Sequence, residues 1–348
     1  MSPNYNIEKF NLEQNFSEYQ ALAVRMFGKV SYQANMDYLR WLYEQKEFKR
    51  DNCCLLLLVN KKIVGCICIM YLDWSVGPER VKVAIPHNLV VLPEFRKGVL
   101  GMLLTYKIIS ENQWMFIPGV SGKWAMFHER VLKMTKIPLV CYRKILRPLR
   151  GGIKIICSRI LNIQVSGARF SRSEDYLCDC CKKIQFTTRP SVEIMQKIAD
   201  ILNYSSIGMI APYWDLNQVY WRFFHPLGPK HMLLHFGFGD EVNDFMILSL
   251  GLRHDLNVGR IIEVVASSIG QLKILLQHAA LVLRAHGGDV LLNYCANSQL
   301  NLWHRELNWQ ALPSGVSSYI WSRNQLIDSR KVMVSSACGD YGFEAIAR

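Results

Sequence analysis

The sequence predicts an α/β protein with a mixed central sheet, built twice in tandem. Three observations predict it. The chain has 348 residues, beyond the usual reach of one hydrophobic core. Half of its residues are apolar and 20% are charged, a globular composition. The order of strand-like and helix-like runs in the first half returns, at similar lengths, in the second.

The first copy opens on an aromatic helical stretch over 38–43. A strand over 54–59, a polar turn at Asn60-Lys61-Lys62 and a strand over 63–71 follow as a hairpin. Its unbroken apolar runs suit strands covered on both faces. A strand over 81–92, a helix over 100–110, a strand over 115–118, a helix over 123–134 and a closing strand over 139–145 complete it. The second copy repeats the order: aromatic stretch 220–224, hairpin 232–238 and 245–252, strand 260–266, helix 270–286, strand 289–294, helix 298–309 and closing strand 317–322. The chain therefore divides into a domain over 1–146, a basic linker over 147–172 and a second domain over 173–348.

Between Arg143 and Ser173 there is no acidic residue, while Arg143, Lys144, Arg147, Arg150, Lys154, Arg159, Arg169 and Arg172 all fall there. The run reads as a solvated connector with a short helix, or as a peripheral contact with an anionic membrane or a polyanion. The formal net charge of +13 favours anionic ligands in general and does not choose among them. The N-terminal residues lack the basic-then-apolar order of a secretory signal. The most apolar run, 53–59, is far shorter than the ~20 residues that cross a bilayer. Eleven cysteines sit mostly inside apolar runs and read as reduced thiols in a cytoplasmic protein. Cys178-Asp179-Cys180-Cys181 has no second ligand pair at a zinc-site spacing, and His231 with His235 reads as a structural pair, so no metal is expected.

Chemistry concentrates in residues 88–104. A β-branched strand ends at Pro93, a turn carries Arg96 and two glycines, and an apolar helix starts at once. Glycine lets backbone approach a ligand, and the first N–H groups of a helix are unpaired and carry the positive end of its dipole. Such a bend can seat a pyrophosphate.

This run resembles the GNAT superfamily of acyl-CoA-dependent N-acyltransferases. The family signature is a strand ending in Val-x-Pro, then Arg or Gln, then x-x-Gly-x-Gly or Ala. Pro93, Arg96 and Gly101 match without gaps, while Val99 takes the first glycine position and Gly98 stands one residue early. The resemblance implies two GNAT-like domains in tandem, the second degenerate. It implies acetyl-CoA or another acyl-CoA as co-substrate, held by Val90, Val91 and Leu92 and by Arg96, Lys97, Gly98, Val99, Leu100 and Gly101. The pantetheine arm would enter between the strands at 89–92 and 115–118.

Family members often use a glutamate as base and a tyrosine on the later helix as acid. The tyrosine position falls at Phe127-His128-Glu129, which makes His128 a candidate whose pKa suits either role. It reads equally as a polar residue on a helix face. His87, Asp73 and Glu79 are base candidates, and Tyr142 reads as core or as acid. The matching junction of the second copy, 264–272, has one glycine, no Arg or Gln, and no basic residue before Lys273. That half is expected to have lost coenzyme binding.

The resemblance thus implies transfer of an acyl group, acetyl first, to an amine. Tandem chains of this length resemble acyltransferases encoded with envelope functions, which suggests an amino sugar or an envelope-glycan precursor as acceptor. A Fem-like aminoacyl transferase also pairs two GNAT-like domains and would let the basic linker serve RNA, but the phosphate motif argues against it, and a nucleic-acid partner is not expected. A non-catalytic GNAT-like scaffold is the second alternative, supported by Val99 and by the absence of an obvious base, and the enzyme is weighed above it.

Overall fold

Two mixed sheets organise the chain, which divides into two compact units. The computed structural model describes residues 5–29, 31–43, 53–96, 99–159, 176–177, 184–237, 241–253, 255–312, 316–339 and 343. Elements are numbered along the chain.

The first unit takes Met1–Ile137 and Val316–Lys331. Its strands are β1 (Tyr5–Lys9), β2 (Cys54–Val59), β3 (Lys62–Val76), β4 (Glu79–Val91), β5 (Trp114–Ser121), β6 (Thr135–Ile137) and β16 (Val316–Ser322), in the order β1-β2-β3-β4-β5-β16-β6. Only β4 and β5 are parallel among these neighbours. Helices α1 (Leu12–Phe27), α2 (Met36–Tyr43), α3 (Leu100–Glu111) and α4 (Lys123–Met126) accompany them, and a π-helical turn, Phe127–Val131, extends α4. Asn11 starts α1 by accepting the N–H groups of Glu13 and Gln14. The β2–β3 hairpin turns through Asn60 and Lys61, both left-handed (φ 49° and 64°), as a two-residue turn between twisted strands requires. β3 is buried continuously from Val64 to Leu72, which is why its sequence shows no polar alternation.

The second unit takes Pro138–Gly315 and Val332–Ile346. Its strands are β7 (Val140–Ile145), β8 (Tyr176–Leu177), β9 (Ile184–Thr187), β10 (Ala211–Pro212), β11 (His231–Phe236), β12 (Phe245–Arg253), β13 (Leu256–Val265), β14 (Val290–Cys295) and β15 (Gln310–Leu312). The sheet runs β15-β7-β14-β13-β12-β11-β9-β8, with β13 and β14 parallel. Its helices are α5 (Pro148–Arg159), α6 (Val192–Ser205), α7 (Leu216–Val219), α8 (Ile269–Ala285) and α9 (Ser298–Glu306). Successive side chains of β11 go to opposite faces. Met232 and Leu234 join a cluster with Leu272, Leu275 and Leu283 of α8, while Leu233 joins Ile194 and Ile198 of α6. Each such buried leucine contributes about 1.5–3 kcal/mol.

The two sheets share one plan, with a difference from the sequence expectation. The strand over 139–145 does not close the first copy, nor does 317–322 close the second. Instead β16 lies between β5 and β6 of the first sheet, and β7 lies between β14 and β15 of the second. Each unit keeps a three-residue strand of its own outside the exchanged one. The cut expected after residue 146 therefore runs through the second unit, which begins at Pro138. The expected linker opens with α5, fastened to the second unit by a buried Lys154–Asp289 pair at 2.6 Å. The N–H groups of Leu146 and Arg147 also bond the Asp289 carbonyl. Residues 160–172 and the Cys178–Cys181 cluster lie outside the described residues. The helix expected over 123–134 is shorter and turns π-helical at Phe127.

Candidate functional site

The first sheet opens at its parallel pair. β4 and β5 pair only at Val83↔Trp114 and Ala84↔Met115, yet β4 runs on to Val91 and β5 to Ser121. Past Ala84 the two strands part. A bulge on β4 marks the parting: Cys66 faces Val90 and Cys68 faces His87, so β4 spends an extra residue, and Asn88 takes φ 54°. Opposite it, Gly65 has no room for a side chain, because a Cβ would meet the Val90 carbonyl oxygen at 2.7 Å.

The bulge carries a polar network that sequence reasoning missed. Tyr32 Oη and Gln33 Nε2 donate to Asn88 Oδ1 at 2.9 and 3.2 Å, and Asn88 Nδ2 donates to Tyr38 Oη at 3.0 Å. Tyr38 Oη lies 2.7 Å from His87 Nε2, and His87 Nδ1 lies 3.1 Å from the Ile85 carbonyl. A carbonyl only accepts, so Nδ1 carries the hydrogen and Nε2 accepts from Tyr38. The one available signal was an asparagine inside a β-branched strand, a residue that favours left-handed bulge positions.

Beyond the bulge the strand turns into α3. The Leu92 N–H bonds the Val64 carbonyl at 2.8 Å, and Pro93–Phe95 forms a 3₁₀ turn. Val90, Val91 and Leu92 are buried, whereas Arg96 is exposed and Arg96 Nε donates to the Val91 carbonyl at 2.8 Å. Arg96 thus braces the strand end that it follows. Val99 precedes α3 with φ −101° and supplies no side-chain cap, which leaves the first helical N–H groups without one. Leu100 and Gly101 form that first turn, and Lys97 and Gly98 lie outside the described residues. A Cβ on Gly101 would lie 3.4 Å from the ring of Trp124, so this indole forms a wall beside the bend.

Trp124 leads to His128. Their rings lie 6.2 Å apart, and His128 Nδ1 sits 2.6 Å from the Trp124 carbonyl. Nδ1 therefore bears the hydrogen, and the neutral ring has a bare Nε2. Burial depresses the His128 pKa, which favours that neutral form. Its ring stacks on Tyr319 of the exchanged strand at 5.5 Å and 19°. Tyr319 Oη donates to Glu129 at 2.7 Å, and Lys136 lies 3.3 Å from the same carboxylate. These two partners hold the Glu129 carboxyl below its usual range, so it reads as an anchor for Tyr319. His128 sits on a π-helical turn, a rare geometry that collects at functional sites.

The structure gathers only part of the predicted set. Gly101 stands against Val91 and Trp124, and Trp124 in turn against His128. His87 is instead a buried member of the Tyr38 network, both ring nitrogens engaged. Glu79 sits exposed beside the β3–β4 turn, at the opposite end of β4 from Leu92, about 40 Å along the strand. Asp73 faces Lys82 across β3 and β4 and pairs with it at 3.5 Å. Tyr142 belongs to the second unit, where it is fully buried, stacks on His304 and donates to the Asn301 carbonyl. It is a core residue, as a buried aromatic on a central strand usually is.

The second sheet opens at the equivalent place, after four parallel pairs ending at Ile261↔Asn293. Here the helix start is closed. Ser268 caps α8 by accepting the Gln271 N–H, and buried Asp244 accepts both the Ser267 N–H (2.5 Å) and hydroxyl (3.1 Å). The protein's own carboxylate takes the place beside this helix start that an anion would seek. His231 and His235 are both buried in β11; His231 Nδ1 donates to the Phe223 carbonyl, and burial beside Arg222 lowers its pKa to about 3. No described helix is long and apolar enough to cross a membrane.

No protein-family model and no curated protein matches the chain. Solved structures do match its fold. Saccharomyces cerevisiae N-myristoyltransferase with bound myristoyl-CoA is similar over 96% of this chain and 88% of its own, at 9% identity and a TM-score of 0.62. A GCN5-related N-acetyltransferase from Kribbella flavida is similar over 92% and 70%, at 13% identity and 0.54. One from Anabaena variabilis is similar over 91% and 72%, at 12% identity and 0.54. The chain has a GNAT-like fold, with two GNAT-like units in tandem.

Proposed function

We propose that the first unit is an acyl-CoA-dependent N-acyltransferase. The reading is carried by one observation: parallel strands that part at a bulge, with an uncapped helix start directly behind the longer strand end. The diphosphate of the coenzyme would take the first N–H groups of α3, Gly101 would let it approach, and Arg96 would add charge. The pantetheine arm would lie between β4 and β5.

An amine nitrogen then attacks the thioester carbon, a C–N bond forms and the C–S bond breaks. The bare Nε2 of His128 takes the proton from nitrogen and returns it to the departing thiolate. The Tyr38–His87–Asn88 network would shape the acceptor side of the bulge. Acetyl is the smallest donor that fits the reading, and the similarity to an N-myristoyltransferase makes a long acyl chain the natural comparison. An amino sugar or glycan-precursor amine remains the proposed acceptor class. Exposed Leu149 and Ile153 beside Arg150 on α5 would suit a peripheral contact with an anionic membrane.

Calorimetry with acetyl-CoA and myristoyl-CoA tests the seat. Wild type should bind at least one of them, and Arg96→Ala should weaken it about tenfold, the loss of one charge-assisted contact. His128→Gln should bind equally well and lose turnover about a hundredfold. Absence of binding by either coenzyme would remove the enzyme reading; binding with no turnover across an amine panel would favour the scaffold.

A further inference from the structure

The opening in the second sheet contains a cavity of about 140 Å³. Voids of about this size in protein cores accept benzene. Trp214, Trp303 and Leu300 supply apolar walls, while Asn293 and Ser335 supply polar groups. Glu263, near the end of β13, contributes the one carboxyl among the described lining residues, which include no Lys, Arg or His.

The Glu263 carboxyl is partly committed. Oε1 accepts the Val264 N–H at 3.1 Å, and Oε2 accepts the Ser335 hydroxyl at 2.5 Å. Two oxygens offer about four acceptor positions, so capacity remains. Burial lifts this carboxyl to about 7. Among the described residues, the titratable groups that line the cavity with it are Tyr294 and Cys295 of β14 and Cys338 of the C-terminal segment, and Arg222 of the π-helical turn Tyr220–Phe224 acts on it electrostatically. Both thiols are pushed up to about 12 and stay neutral. Arg222 donates to the Ala337 and Gly339 carbonyls, which holds the C-terminal segment, and it does not line the cavity. A carboxylate in such a site is costly without a cation nearby. The walls supply shape and hydrophobic surface, and the missing complement is a positive charge.

We propose that this cavity binds a small organic ammonium, an amine on an aromatic or branched aliphatic body of about benzene's size, with Glu263 as its acceptor. Ordinary amines stay protonated well above neutral pH, so the ligand brings the charge and Glu263 ionises to meet it. The site lies wholly in the second unit and involves no acyl donor, so it stands or falls separately from the acyl-transfer reading.

The test is calorimetry on the full chain with benzylamine, benzyl alcohol and benzoate at pH 6 and pH 8. Benzylamine should bind at least tenfold tighter than benzyl alcohol at pH 8, and benzoate should not bind. Benzylamine affinity should rise several-fold from pH 6 to pH 8, because Glu263 ionises in that window and the ammonium selects the ionised form. Glu263→Gln should reduce benzylamine to the affinity of the alcohol. Val265→Phe, which fills the cavity from β13, should abolish binding of both. If Glu263→Gln does not fold, the pH series and Val265→Phe decide the matter. Equal binding of amine and alcohol, a pH-independent affinity, or indifference to Val265→Phe would overturn the proposal.

Discussion

The two sheet openings are built on one topology and treat negative charge in opposite ways. In the first unit β4 and β5 share two pairs before parting, and α3 starts without a cap beside Gly101. In the second, β13 and β14 share four pairs, Ser268 caps α8, and Asp244 accepts from Ser267, the residue before the cap. The C-terminal segment also enters the second opening, where Ser335 bridges to Cys295 and the Ala296 N–H bonds Val334. Topology parts the parallel strands in each case. The chemistry of the helix start decides whether an outside anion is wanted there, because a helix N-terminus stabilises one negative charge and an internal carboxylate already provides it.

The largest effect should come from breaking the strand exchange that underlies this comparison. A chain ended after residue 146 keeps the whole first domain that the sequence predicts, yet its sheet lacks β16, and β5 and β6 lose the strand between them. It also carries β7, whose partners β14 and β15 are absent. Buried Tyr319 and Ile320 are lost with β16, and His128 loses its stacking partner. We expect this fragment to show no cooperative thermal unfolding, while residues 1–137 joined through a flexible linker to 316–331 should unfold cooperatively. Cooperative folding of residues 1–146 alone would contradict the division.

That exchange also marks the limit of what could be read from residues. The hairpins, α3, α8 and the parallel strands were legible within a few residues, because their signals are local: an apolar run, a turn at Asn60-Lys61, a serine cap. Which strand lies beside β5 is not local. Residues 139–145 and 317–322 are both short amphipathic strands, and nothing in either segment specifies its sheet. The same limit hid Tyr319 from the site. His128 on its π-helical turn, His87 in the Tyr38 network and Tyr142 in the second core are all readings that the sequence leaves open, because a titratable or phenolic side chain looks alike in a core and in a cleft. Burial decides between the two, and burial depends on partners distant in sequence. Glu263 was missed for that reason: only the cavity and Ser335 distinguish it from an ordinary strand glutamate.

A smaller and more selective effect should follow from giving the first unit the chemistry of the second. Gly101→Asp places a carboxylate in the first turn of α3. The new Cβ meets Trp124 at 3.4 Å, an ordinary contact, and an acidic residue in a first turn favours the helix by ~0.3–1 kcal/mol. The fold should therefore hold its melting temperature to within a few degrees. Coenzyme affinity should fall about a hundredfold, since like charges meet in the seat. Isothermal titration beside a thermal melt separates the two quantities, and unchanged affinity would show that the bend is not where the diphosphate lies.

The smallest effect is a pH slope, and it tests how the second unit holds its charge. Glu263 is lifted from 4.5 to about 7 in the folded protein. Between those values the folded chain keeps a proton that the unfolded chain releases, so this group makes stability fall as pH rises from about 4.5 to 7. The shift corresponds to at most ~3 kcal/mol. His231 acts in the other direction: its folded pKa of about 3 lies below the ordinary 6.5, so its contribution is lost as pH falls through that range. The two slopes oppose each other between 4.5 and 6.5 and partly cancel in the wild type. Glu263→Gln removes one of them. Urea unfolding of both proteins from pH 5 to pH 8 should show the stability difference moving steadily in favour of the variant as pH rises, by up to ~3 kcal/mol. A difference that stays constant across that range would mean that Glu263 ionises as freely as a surface carboxylate, and the second opening would then be no more than a gap between strands.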